Sequence, residues 1–130
     1  METFYDSLRA ECGIRPPEPN EQDLEICAVI YQRTGDCIAF YERHADELSA
    51  FQKDQLITMI VQGIEEHLTY AGDIQESLRL WGLAKDIIIR DNHRRTVVYW
   101  SCIGEALAEC WYVTPYMREL LWILDGADKG

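Results

Sequence analysis

Apolar residues recur along most of the chain at intervals of three and four, the spacing that lines one face of an α-helix. Leu24, Cys27, Ala28 and Tyr31 form a first clear stripe, with Asn20 as cap and Thr34-Gly35 as its end. Asp36 is placed to cap a short helix whose inner face is Ile38, Tyr41, Ala45 and Leu48. Ser49 and Gln52 have capping-box spacing. Leu56, Ile60, Gly63 or Ile64, and Leu68 follow as a stripe that Gly72 closes. Asp73 and Glu76 repeat the box-like pair, and Ile74, Leu78 and Trp81 continue at helical spacing. A long helix is predicted over about residues 95–112, with Val97, Trp100, Ile103 or Gly104, Leu107 and Trp111 on one face. Thr114-Pro115 restarts the chain in the N-cap/N1 arrangement. Met117, Leu120, Leu121 and Leu124 form the last stripe before Gly126.

Strand signals are few. Ile87-Ile88-Ile89 is β-branched, but no second convincing strand is available to pair with it, so residues 85–92 read as helix or irregular turn. Residues 2–11 suit a short first helix. Gly13-Ile14-Arg15-Pro16-Pro17-Glu18-Pro19 breaks it and reads as a stiff, extended connection. The pattern therefore predicts an all-α, compact bundle of six to seven short helices in a single domain over residues 1–130. Within it, residues 1–12 are free to dock as an N-terminal arm, and residues 13–19 are the Pro-rich connection.

Composition narrows the class. A length of 130 residues suits one domain, and 48% apolar residues suffice for a core. No run approaches the ~18 consecutive apolar residues of a membrane-crossing helix, so no membrane association is expected. The first residues lack the basic and apolar regions of a secretory leader, and no lipidation motif is evident. Five cysteines at irregular spacing do not resemble a disulfide framework. Cys27, Cys102 and Cys110 fall within apolar helical patterns, so the expectation is reduced thiols in a cytoplasmic protein.

Charge changes the picture more. Twelve Lys and Arg face 23 Asp and Glu, for a net charge of −11. Domains that grip phosphates are usually basic, so direct nucleic-acid binding is not expected. The charge is also polarised: residues 1–72 hold 14 acids and 5 bases, residues 73–95 hold 4 and 5, and residues 96–130 hold 5 and 2. A focused acidic field suits a basic partner. The local spacing adds nothing to that case. Glu2/Asp6, Glu21/Glu25, Glu42/Asp46 and Glu105/Glu109 are four i,i+4 acidic pairs, as many as chance places in so acidic a chain. Residues 90–95 form the one basic cluster. It reads first as internal neutralisation through Asp86/Arg90 and Asp91/Arg95, and second as an anion site.

Candidate chemistry is sparse. His44, His67 and His93 have no ExxH or HExxH context, and no CxxC occurs, so no metal site is assigned. Neither GxGxxG nor a Walker-type phosphate loop is present. Cys37 follows the acidic Asp36, which disfavours a thiolate. No catalytic residue and no cofactor are assigned. The expected function is a non-catalytic, acidic helical binding protein that inhibits or neutralises a partner with a basic surface, such as a nucleic-acid-processing complex. Phage-encoded anti-defence or anti-CRISPR-type inhibitors and antitoxins have this size and charge. The candidate contact residues are Glu42, Asp46, Glu47, Glu65 and Glu66, with Glu21 and Glu25 behind them. The alternative is an immunity-type or regulatory adaptor that uses its aromatic C-terminal helices. Residues 96–124 hold 20 apolar residues, and a homodimer would form through the region of Trp100, Trp111 and Trp122. A small enzyme with a scattered site is the third reading.

Overall fold

Short polar side chains meet bare backbone amides where the helices begin. The Ser49 hydroxyl accepts from the Gln52 amide at 3.1 Å, and the Gln52 side chain accepts from the Ser49 amide at 3.0 Å. The Asp73 carboxylate accepts from the Glu76 amide at 3.1 Å. These contacts satisfy donors that a helix start leaves without partners. In a computed structural model of the chain, residue 11 and residues 31–127 are described. They form α1 (Thr34–His44), α2 (Ala50–Tyr70), α3 (Ile74–Asp91), α4 (Arg94–Ser101) and α5 (Thr114–Ala127), with 3-10 turns at Tyr31–Arg33 and Leu107–Glu109. No strand occurs among the described residues. The all-α class therefore holds, while the count of six to seven helices is not matched. The short first helix, the Pro-rich connection and the stripe from Leu24 to Ala28 lie outside the described residues.

The longest helix, α2, is the centre of packing and touches α1, α3 and α4. Leu56, Ile57, Ile60, Val61 and Ile64 of α2 are buried against Phe40 and Tyr41 of α1 and Leu80, Ala84, Ile87 and Ile88 of α3. Val97 and Trp100 of α4 extend the same core to Met117 and Leu120 of α5. The start of α1 sits so close to α2 that a side chain at Gly63 would overlap the Thr34 hydroxyl. Glycine is thus the residue that this crossing allows.

Four local expectations change. Thr34-Gly35 does not end a helix; α1 begins there, directly after the Tyr31–Arg33 turn, with the Thr34 hydroxyl bonded to the Tyr31 carbonyl at 2.7 Å. The buried face of α3 is Ser77, Leu80, Trp81, Ala84, Ile87 and Ile88, which leaves Ile74 and Leu78 exposed. The helix reading of residues 85–92 holds, since residues 85–91 complete α3, which stops where Asn92 turns left-handed. The long helix over residues 95–112 is replaced by the eight-residue α4, an exposed loop and a short 3-10 turn. Left-handed Cys102 and Gly104 (φ 53° and 94°) break the helix although the apolar spacing continues. At the other end, α5 runs one residue past Gly126.

Candidate partner-binding surface

The break after α4 creates an exposed loop that carries apolar side chains. Cys102 and Cys110, 6.2 Å apart between Cα atoms, are joined by a disulfide. This corrects the expectation of reduced thiols for that pair: the turn at Cys102 folds the chain back on itself, which periodicity alone does not disclose. Cys37 is buried, and Cys12 and Cys27 lie outside the described residues. Every residue from 103 to 109 is exposed, including Ile103 at 65% and Leu107 at 52%. Glu105 and Glu109 alternate with them, and the loop contains no base.

Arg118 of α5 holds this loop from within. Its guanidinium donates to the carbonyls of Ser101 (2.7 Å), Cys102 (2.7 Å) and Glu105 (2.9 Å). The first two carbonyls lie at the C-terminus of α4 and the third in the loop, and a planar cation with several donors binds them together. Beside the loop, Tyr99 stacks on Trp111 at 5.4 Å, and Trp111 contacts Trp100 at 4.6 Å. Trp100 is 4% exposed and belongs to the core, Trp111 is half-buried, and Trp122 is 75% exposed. The three tryptophans therefore have different roles. Tyr99, Tyr112 and Trp122 are exposed.

The acidic residues singled out from the sequence are dispersed. Glu65 of α2 receives the amides of Tyr112 (3.1 Å) and Val113 (2.9 Å), so its carboxylate docks the segment that leads into α5. Glu42 pairs with Arg90 at 2.8 Å, joining α1 to α3. Glu47 bonds His44 at 3.1 Å, and His44 and Arg43 both engage Glu11. Asp46 is exposed in the turn after α1, and Glu66 is half-buried on α2. Glu21 and Glu25 lie outside the described residues.

Two of the three arginines in the basic cluster, Arg90 and Arg94, have carboxylate partners, two of these partners distant in sequence and one adjacent. Arg90 binds Glu42 and Asp91, and Arg94 binds Asp125 at 2.9 Å. The i,i+4 pairs Asp86/Arg90 and Asp91/Arg95 are not formed. Arg33 pairs with Asp36, and Arg79 with Glu76.

Two histidines are fixed inside hydrogen-bond chains. Ser77 donates to the Asp73 carbonyl, so it accepts from Nδ1–H of His67 at 2.6 Å. Tyr41 donates to the Asp91 carboxylate at 2.7 Å, so it accepts from Nε2–H of His93 at 2.7 Å. Burial, followed by the Asp91 charge, raises the Tyr41 phenol well above its usual range. Arg90, followed in the same sense by the Tyr41 hydroxyl, holds Asp91 below the usual carboxylate range. Burial lowers His93, against the opposing pull of Asp91 and Asp54. This chain ties α1 to the corner between α3 and α4.

Sequence reasoning missed Ile103, Glu105, Leu107 and Glu109 as a displayed set because the apolar spacing placed them in a helix. Gly104 and two cysteines eight residues apart were the available signals. Among the described residues no helix is long and apolar enough to cross a membrane. No protein-family model, curated protein or solved structure matches the chain.

Proposed function

We propose that this chain is a non-catalytic binding protein that occludes a basic surface on a protein partner, one that itself handles nucleic acid. The observation that carries the reading is the loop closed by Cys102–Cys110. It holds Ile103 and Leu107 in solvent, alternating with Glu105 and Glu109, with no base within it. Exposed apolar side chains on a stapled turn bind with little further loss of chain entropy. The flanking carboxylates select an apolar socket rimmed by Lys or Arg, and the net charge of −11 steers the encounter. Asp46, Glu47 and Glu66 add to that field, as do Glu21 and Glu25; Glu42 and Glu65 have structural work as well. Occlusion of this kind is the mode of action of an anti-defence inhibitor or an antitoxin.

The test is affinity capture from the native cell by the intact protein, read by mass spectrometry, with a Glu105→Lys/Glu109→Lys variant beside it. The reading expects a partner with a basic surface that is lost on charge reversal and released by salt. Equal capture by both proteins, or a partner indifferent to salt, overturns it. The exposure of Trp122, Tyr99 and Tyr112 favours one second reading, a homodimer or adaptor contact through the aromatic end. Light scattering at two salt concentrations separates the two, because apolar self-association resists salt.

A further inference from the structure

A cleft of about 570 Å³ opens where the first turn of α2 meets the corner between α3 and α4. Ala50, Phe51, Lys53 and Asp54 line one side, and Asp91, Asn92, His93 and Arg95 the other. The proposed partner surface does not use it. Six of the nine Lys and Arg among the described residues are consumed: Arg33, Arg43, Arg79, Arg90 and Arg94 have carboxylate partners, and Arg118 is held by carbonyls. Lys53 and Arg95 differ. Among the described residues neither is paired with a carboxylate, which holds for Lys85 as well, but Lys53 and Arg95 both border this one cleft.

Backbone adds to the same sign. At α4 the N-cap residue is His93, and it makes no side-chain cap bond to the first turn. The first-turn amides of α4 therefore lack that partner, and the positive end of the helix dipole lies at the cleft. Asp91 offsets part of this charge, although Arg90, which it shares with Glu42, and the Tyr41 hydroxyl bind its oxygens. Asp54 is the remaining carboxylate of the lining. A carboxylate beside two cations repels an oxyanion without a proton. It accepts a hydrogen bond from one that keeps a proton.

We propose that this cleft binds hydrogen phosphate, with Lys53, Arg95 and the first-turn amides of α4 holding its oxygens and Asp54 accepting its proton. Phosphate retains a proton at neutral pH and sulfate does not, so the site discriminates between two ions of the same shape.

The test is titration of the intact protein with sodium phosphate and with sodium sulfate at pH 7.5 and constant ionic strength, followed by amide NMR shifts. Saturable shifts confined to residues 50–54 and 91–96 are expected with phosphate, and binding weaker by about tenfold or more with sulfate. Lys53→Met and Arg95→Met should each weaken phosphate about tenfold or more while leaving the circular dichroism spectrum unchanged. Asp54→Asn should abolish the discrimination and admit sulfate. Phenyl phosphate, which is mostly dianionic at this pH, separates the free ion from a monoester: weak, sulfate-like binding supports the proposal. Equal binding of phenyl phosphate, equal binding of sulfate, or phosphate shifts indifferent to both cation substitutions overturns it, as does the absence of saturable shifts.

Discussion

Gly63 of α2 faces Thr34 at the start of α1 so closely that a single added methyl would overlap the threonine hydroxyl. Thr34 is 2% exposed and its hydroxyl is already bonded to the Tyr31 carbonyl, so it has no room to yield. Gly63→Ala should therefore destabilise the fold by about 1–3 kcal/mol, the usual range for overpacking. Part of that cost offsets the gain in helix propensity that alanine brings. Thr34→Ala removes the overlapping hydroxyl, so the double variant should recover part of the loss. Urea unfolding of the four proteins in a double-mutant cycle measures the coupling. A Gly63→Ala protein as stable as the parent contradicts the close approach.

Glu65 supports a second prediction, which separates stability from partner binding. Its two carboxylate oxygens each take one backbone amide, from Tyr112 and Val113. Glu65→Ala leaves both donors without that partner and should cost about 1–3 kcal/mol in urea unfolding. Glu65→Gln keeps one acceptor oxygen and should fall between the two. If Glu65 instead acts only at a partner surface, neither substitution will move the unfolding midpoint.

The local rules and the long-range contacts were unequally legible in the sequence. The Ser49/Gln52 box, the Asp73 cap and left-handed Gly72 each depend on residues within four positions of one another, and each appears as the spacing predicts. The predicted inner face of α1 is likewise buried at Ile38 and Tyr41. The break at Cys102 was not legible in the same way. Apolar spacing runs on through Ile103, Leu107 and Trp111, while the reason for the turn lies in Arg118 and Cys110, later in the chain. Glu65 and Glu42 look like solvated acids until their partners, 47 and 48 residues away, are brought to them by packing. Charge counting places most of the acids in the first 72 residues but does not show which of them the fold itself uses.

The Tyr41–Asp91–His93 chain sets a pH dependence with a definite sign. Burial lowers the His93 pKa below its ordinary 6.5, so just below that pH the unfolded chain binds a proton that the folded one resists. Stability should fall as pH drops from about 6.5 towards the folded value, and His93→Gln should flatten that part of the curve. Asp91, Asp54, Lys53 and Arg90 all act on this ring, so the comparison needs the same variant at each pH. Tyr41 works at the opposite limit. Its raised pKa means that stability present below pH 10 is lost as pH rises beyond it, because the unfolded phenol ionises first. Tyr41→Phe should remove that alkaline loss and cost about 1–3 kcal/mol at neutral pH, by leaving Asp91 and His93 without their shared hydroxyl. Chemical unfolding between pH 5 and pH 11 tests both limbs.

The loop between Cys102 and Cys110 allows stability and recognition to be tested on the same atoms. Closing a segment of this length removes about 2.5 kcal/mol of chain entropy from the unfolded state. Reduction, or the paired substitution Cys102→Ser/Cys110→Ser, should lower the unfolding free energy by up to that amount. Arg118 binds the carbonyls of Ser101, Cys102 and Glu105 within the same turn, so the two constraints overlap. Removing either should leave the turn partly held by the other, whereas removing both, with Arg118→Met added, should cost more than the two single losses together. Exposure of Ile103 and Leu107 does not depend on the staple, but their fixed spacing does. Partner affinity should accordingly fall on reduction even under conditions where the helices remain folded by circular dichroism. A reduced protein that binds its partner as tightly as the oxidised one would show that the staple serves stability alone.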